Sequence, residues 1–538
     1  MKKTRIHLAI LVMLCLWTKT EVSFPQSPDR VEQFLIDLTA KAKEQLGANT
    51  DPAKTDFSRF VIEWAKANGL TATQSETEIK RWISAVEQKG DDPYKLGLTA
   101  FYRKDFSKAA EHFNQAALAR SNQVNTLKDK NQLTPEANAR LVREGTLCLL
   151  LAARSCLFNN DFVNAGNFFQ NAANYTSREE SPETWAGTLL ELGQVYSELG
   201  LRTSGDESEK LFVNAAEAIR LALEVFTREG FSQKWAESQS SLGATLASQG
   251  IRTEGDAGDK LLFDGAEALR KSLEVVTRVQ APLPWAKTQN NLGAALAEQG
   301  MRSSGEAGLR QLLDAIAAYR SALEVRTYET YPQEWASTQN NLAAVYYFMK
   351  DWPKVAECYS NVLKVFPKNA LAYRTASELH QKALFDFDLA FKLNQEWVKN
   401  NPNDLLEQVK LVEKYFTTGR FQECQSQVAV FVDNKDYSPL VHAVMRAIEI
   451  ANLIALKSPA VVPAKLDALL QLLKEQPDHF KVEFNTAGMQ YYVNQNALFA
   501  NYGDWLVKFL QAMEGDKRDT VFIALESAKA SFPTISTN

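Results

Sequence analysis

The sequence predicts an all-α protein, a solenoid of antiparallel helix pairs with helical flanking segments. Three observations carry this. The chain has 538 residues, and a compact core stops growing near roughly 250–300 residues. It is therefore several domains or a quasi-linear array. Gly (24) and Pro (17) both lie below average usage, which disfavours turn-rich all-β folds. The third observation is an internal repeat. Trp185-Ala186, Trp235-Ala236, Trp285-Ala286 and Trp335-Ala336 recur at a spacing of 50.

Taken in order, the chain opens with Lys2, Lys3 and Arg5, then residues 6–17, apolar but for His7. That run is shorter than a membrane span of about 20 residues and matches the hydrophobic core of a secretory signal. Residues 1–25 are expected to be a signal peptide, or else an uncleaved N-terminal anchor, with a linker. The chain is then exported, periplasmic or extracellular. Leu14 stands before Cys15 where lipidation needs a small residue. No later stretch is apolar enough to span a bilayer. Residues 26–92 read as short amphipathic helices that cap the first repeat, since a terminal repeat must shield its apolar edge.

The repeat itself occupies the middle of the chain. Leu192, Leu242, Leu292 and Leu342 keep the Trp register, as do Gly193, Gly243 and Gly293. Gly200, Gly250 and Gly300 follow, then Arg202, Arg252 and Arg302, then Gly205, Gly255 and Gly305. In one unit, Trp285, Leu292 and Leu296 mark one face of a first helix. Gly293 leaves room for a close partner helix. Gly300 is expected to end the helix as a C′ residue. A second helix is predicted from about residue 306 to 327, with Leu309, Leu312, Leu313, Ile316, Tyr319 and Leu323 on one side. Each glycine–acid pair, such as Gly205-Asp206, fits a turn followed by an acid at a helix N-terminus.

These residues resemble the tetratricopeptide repeat (TPR) family, whose helix pairs repeat about every 34 residues. Trp335, Leu342, Ala343, Tyr346, Tyr359 and Pro367 follow its pattern, and Ala315, Tyr319 and Ala322 match its second helix. Two upstream units fit through Gly97, Ala109, Phe113 and Ala116, and through Ala153, Ala165, Phe169 and Ala172. The longer units look like a bacterial variant with a W-A-x-T-Q-N-N-L-G signature. The resemblance implies a right-handed superhelix. It places two TPR-like units at 93–180, four long units at 181–370 and degenerate units at 371–435, with Val412, Tyr415, Cys424 and Val428 among them. Residues 436–538 form a C-terminal helical module with an aromatic stretch, Phe484 through Phe499 and Tyr502 to Trp505.

Composition and motifs point away from catalysis. Lys plus Arg (60) and Asp plus Glu (65) give a net charge of −5, which is no nucleic-acid profile. The five His include no two-ligand spacing, and no GxSxG, P-loop or strand-borne GxGxxG occurs. No metal or cofactor is expected, and the chain reads as no enzyme. Cys148, Cys156, Cys358 and Cys424 read as small buried residues. The first helix of each pair is expected to line a concave groove for a protein or peptide. Its candidate partner-binding residues are Gln194, Ser240, Asn290, Asn340 and Tyr347, flanked by Lys287 and Glu298, with Asn amides suited to clamping a peptide backbone. The alternative keeps the pairs Asn290/Asn291 and Asn340/Asn341 structural, one Asn of each bonding between adjacent helices. Arg202, Arg252 and Arg302 form a basic ladder or bond helix-terminal carbonyls. The function expected is a non-catalytic protein-interaction scaffold, for which a homo-oligomer is also compatible. The second reading is an envelope sensory or regulatory subunit whose residues 436–538 bind a small molecule or polymer.

Overall fold

The structure, a computed structural model, describes residues 30–45 and 57–532 apart from 478, 483 and 516. The signal or anchor expected at 1–25 lies outside the described residues. Among them are 24 α-helices and no strand. The chain divides into two compact units, Met1–Ala318 and Tyr319–Asn538, the division falling within one helix.

In the first unit α1 (Arg30–Gln45), α2 (Ser58–Ala67) and α3 (Ala72–Lys89) precede the hairpins. Phe34, Leu38, Phe57, Phe60 and Ile79 join one core with Leu98, Phe101, Phe113 and Phe158. The hairpins are α4 (Pro93–Tyr102) with α5 (Phe106–Asp129), and α6 (Pro135–Phe158) with α7 (Phe162–Tyr175). Then come the 50-residue pairs: α8 (Pro182–Arg202) with α9 (Gly205–Leu223), α10 (Ser232–Arg252) with α11 (Gly255–Leu273), and α12 (Pro282–Arg302) with α13 (Gly305–Leu323). Asp105, Thr134 and Asp161 cap their helices by accepting a backbone N–H, which satisfies donors the helix cannot pair internally.

The long pairs differ from the expected unit in two respects. Gly200, Gly250 and Gly300 do not end their helices, which run on to Arg202, Arg252 and Arg302. They are instead contact points. A Cβ on Gly300 would lie 2.7 Å from Leu312 Cγ, and one on Gly250 2.9 Å from Leu262 Cγ. The turn is made three residues past the helix end, where Gly205, Gly255 and Gly305 have φ of +67°, +67° and +70°, a region open to glycine. The second helix is also narrower in its apolar face. Leu312 and Ile316 are buried, but Leu309 and Leu313 are exposed.

Gly193 and Gly243 act as expected. A Cβ at either would sit 2.5 Å from Ile219 Cγ1 or 2.6 Å from Leu269 Cγ. The loops between pairs repeat as well. Ser177, Thr227 and Thr277 each accept from a backbone N–H three residues on, those of Glu180, Gly230 and Gln280, and so form hydroxyl-closed turns.

The second unit begins with the end of α13 and continues with α14 (Pro332–Phe348), α15 (Trp352–Val365), α16 (Ala370–Lys382), α17 (Phe387–Asn400), α18 (Leu405–Thr417), α19 (Phe421–Asp433), α20 (Pro439–Ala455) and α21 (Val462–Lys474). Then follow α22 (Ala487–Gln495), α23 (Gly503–Ala512) and α24 (Arg518–Ala530). One core runs from Val412 on α18 to Ala528 on α24, so the tail helices and the last hairpins bury a single apolar mass. No described helix is long and apolar enough to cross a membrane.

Candidate partner-binding face

Two kinds of repeated contact order the hairpins of the first unit. On the loop side, Arg178 pairs with Glu224 at 2.7 Å and lies 5.0 Å over the ring of Trp185. One repeat later Arg228 pairs with Glu274 at 2.7 Å and lies 5.3 Å over Trp235. The repeated Trp is thus a half-buried platform for an arginine that ties its pair to the next. At the opposite corner, Arg302 donates to Gly250 O and Thr253 O at 3.0 Å and to Ile251 O at 3.2 Å, and pairs with Glu298. Arg252 reaches back to Leu201 O at 3.4 Å. These arginines bond the end of the preceding pair's first helix rather than forming an open basic ladder. Arg202 pairs with Glu198 and covers the ring of Phe162.

The first helices of successive pairs are stitched by polar bonds. Gln194 Nε2 donates to Ser241 Oγ at 3.1 Å, and Ser240 Oγ lies 2.9 Å from Thr288 Oγ1. Ser197 and Thr245 hydroxyls are 2.5 Å apart, and Arg154 pairs with Glu191 at 2.8 Å. Gln194 and Ser240 therefore join neighbouring helices. Asn290 donates to Asn291 at 3.5 Å and is half-buried. Glu298 is held by Arg302, while Lys287 is exposed on the same helix. Gly293 is buried in α12, and Trp285 is half-buried.

In the second unit α14 presents a different face. Asn340 and Ala344 are exposed, and Tyr347 and Phe348 follow at 55% and 49% exposure. Ala247 and Ala297 hold the register of Tyr347 in α10 and α12, and both are buried. Ser248 and Glu298 hold that of Phe348. Tyr347 is braced edge-on against Trp352 at 5.3 Å. Tyr346 points inward and accepts from Arg320. Trp335 is half-buried between Tyr328 and Lys364, and Pro367 lies two residues past α15. Phe348 was not among the residues the sequence singled out. Its adjacency to Tyr347 at the end of an A helix is the signal that could have found it.

Elsewhere in the second unit a charge cluster and much of the aromatic tail are covered by the chain itself. On α16 and α18 sits a partly buried charge cluster: Glu378 with Lys382 (2.9 Å) and Lys410 (2.7 Å), Glu407 with Lys410 (3.0 Å), and Glu413 accepting from Gln381 (3.1 Å). Burial raises the Glu378 carboxyl, but Lys382, Lys410 and Lys414 outweigh it and hold it at about 2. Lys414 is fully buried, and burial lowers its ammonium against the pull of Glu413, Glu378 and Glu407. Most of the aromatic stretch of the tail packs on its own chain, though Tyr491 keeps an exposed edge. Tyr491 stacks on Phe385 at 3.8 Å, and Tyr492 meets Phe387, Phe416 and Phe499. Phe499 and Trp505 are buried, and Trp505 donates to Ala528 O at 2.7 Å.

Burial pushes the Cys148, Cys156 and Cys358 thiols up to about 12 and raises Cys424 too, so none is a ready nucleophile. Among the described residues no three His, Cys, Asp or Glu side chains gather as a metal site.

No family model matches the chain, and no curated protein matches it. Among solved structures it is similar to BtubC (BKLC) from P. vanneervenii, at 18% identity and a TM-score of 0.32, over 47% of this chain and 91% of that one. It is also similar to the P58(IPK) TPR domain, at 13% identity and a TM-score of 0.21, over 72% of this chain and 97% of that one.

Proposed function

We propose that the chain is a non-catalytic protein-interaction scaffold of tetratricopeptide type in its long 50-residue form, and that the exposed face of α14 is its contact centre. One observation carries the reading. Tyr347 and Phe348 stand half-exposed side by side, in a register that α10 and α12 fill with small or charged residues. Large aromatics with a free face are what interface anchors are made of. Asn340 lies on the same helix two turns before Tyr347, and its amide can donate to and accept from an extended peptide backbone. The partner is then a protein or peptide that brings an apolar side chain to the aromatic pair.

Purification of the chain under native conditions, followed by mass spectrometry, tests this. The wild type retains a stable protein partner. The Tyr347→Ser, Phe348→Ser variant loses it by about tenfold or more with unchanged helicity. A wild type that holds no partner, or a variant that holds it equally, overturns the proposal. A small-molecule site in 436–538 has weaker support, because Phe499, Trp505 and Phe509 are buried. Export is proposed on residues 2–17 alone. Recovery of the chain from the periplasmic or extracellular fraction supports it, and recovery from the cytoplasmic fraction contradicts it.

A further inference from the structure

We propose that the face of α16 and α18 is a helix-binding site, filled in the resting chain by its own α22, which a competing helix of the same chemistry can replace. This rests on the reading of the first-helix face as the contact surface, which it extends from α14 to the next two hairpins. Counted back from the last residue of each first helix, Phe348, Lys382 and Thr417 share one register. Tyr347, Gln381 and Phe416 share a second, and Ala344, Glu378 and Glu413 a third. The adjacent packing position agrees, since Ala343, Ser377 and Val412 are all buried. One face therefore runs over three helices. On α14 it is open at Ala344, Tyr347 and Phe348. On α16 and α18 its members Gln381, Glu413, Phe416 and Thr417 are buried.

The cover is α22. A Cβ on Gly488 would lie 2.6 Å from Gln381 O and 2.9 Å from its Nε2, so the missing side chain is what lets this helix come so close. Tyr492 meets Phe416 at 5.7 Å between ring centres. Tyr491 stacks on Phe385, which holds a φ of +55°, a conformation costly for a bulky side chain. Lys350 and Gly419 stand at the matching turns of the neighbouring hairpins. The aromatic in this one turn has its stacking partner on α22. The helix thus carries a small residue followed three and four places on by two tyrosines, the spacing by which a helix is laid into a groove. The seat beneath it is polar. Gln381 donates to Glu413 at 3.1 Å and to Thr417 at 3.2 Å. The polar bonds of α22 run the other way: Gln490 donates to Thr486 and Glu514 and accepts from Gln511. A cover that desolvates a carboxylate without bonding it is weakened by that cost, and this keeps α22 exchangeable.

A fluorescein-labelled peptide of residues 484–499, titrated with the full chain, tests the proposal. In the wild type the tethered α22 competes at an effective concentration of about millimolar, and the peptide binds poorly. Gly488→Leu unseats α22 in the chain, and so, separately, does Tyr491→Ala with Tyr492→Ala. Each raises the affinity for the unaltered peptide by about tenfold or more, with an unchanged circular-dichroism spectrum. A peptide carrying Gly488→Leu binds none of these chains. Hydrogen exchange on the wild type adds a readout free of substitutions, in which α22 exchanges about tenfold or more faster than α18. Peptide binding that is equal in the wild type and both variants, or absent from all three, overturns the proposal. So does an α22 as well protected as α18. The Tyr347→Ser, Phe348→Ser variant leaves the seat of α22 intact. The peptide titration therefore reads this site, and partner retention reads the α14 face.

Discussion

The 50-residue pairs of the first unit and the shorter pairs of the second solve one problem in two ways. Each must join helix pairs that cannot bury both faces alone. In the first unit the joints are copies: a glycine under a branched side chain, an arginine on a tryptophan, a hydroxyl-closed turn, each recurring at 50-residue intervals. In the second the joints are individual. Arg326 stands buried where Phe226 and Val276 hold the same register, and donates to Thr338 at 3.1 Å. Lys414 is sealed among carboxylates, and Tyr491 stacks on Phe385. The copied joints rest on close steric fits at glycine together with exposed arginine ties. The individual ones bury their charges and stack their aromatics, so the two units should fail under different stresses.

Steric change should hit the first unit hardest. Gly243→Leu would force a side chain into Leu269 and the backbone oxygen of Gly265, 2.7 Å from an added Cβ. A loss of about 3 kcal/mol or more is expected, because backbone cannot step aside. Chemical denaturation monitored by peptides from α10 and α11 checks it. A loss below about 1 kcal/mol would break the account of copied steric joints.

Acid should strike the second unit. Glu378 has a folded pKa near 2 against about 4.5 unfolded. Its stabilisation, on the order of 3 kcal/mol, is in place above about 4.5 and is lost as pH falls toward 2. Burial lowers His380, with Asp386 opposing. The unfolded form therefore takes up that proton more readily, and stability declines as pH falls through about 6.5. Hydrogen exchange against pH should show α16 and α18 losing protection before α10 and α11. The reverse order would contradict the assignment.

Removing an arginine tie is a smaller change. Arg302→Ala deletes bonds to three carbonyls of the preceding pair and should cost about 2 kcal/mol. Arg202→Ala loses only Glu198 and the ring of Phe162, and should cost about 1 kcal/mol or less. Thermal melts of the two variants rank them, and equal shifts would argue against the carbonyl bonds. The smallest expected effect has the opposite sign. Gly187 lies within α8 with nothing within 4 Å of a Cβ, so Gly187→Ala should stabilise by about 0.5–1 kcal/mol. Destabilisation would show that free space is not what separates the two glycines.

The helix pairs were legible because Trp and Gly are distinctive residues and their spacing is regular. Gly300 reads in sequence as a helix terminator because a glycine near a helix end serves equally as a terminator and as a contact point. Only the turn glycine, Gly305, resolves the choice, through its positive φ. Leu309 and Leu313 share the helical period of Leu312 and Ile316, and only the third dimension separates them. Gln194 and Ser240 look available in sequence, since their partners lie 47 and 48 residues away. The charge cluster on α16 and α18 was invisible for a related reason. Glu and Lys at helical spacing read as a solvated face until another element covers them.

On the proposed function, one hairpin, unlike its repeats, carries the recognition face. A photo-crosslinking amino acid placed at 198, 248, 298 and 348 in turn compares one register in four hairpins directly. In the cell of origin, position 348 should capture a partner protein, and the other three should capture it far less. Equal capture at all four positions, or capture at 198, 248 or 298 without 348, would contradict the account.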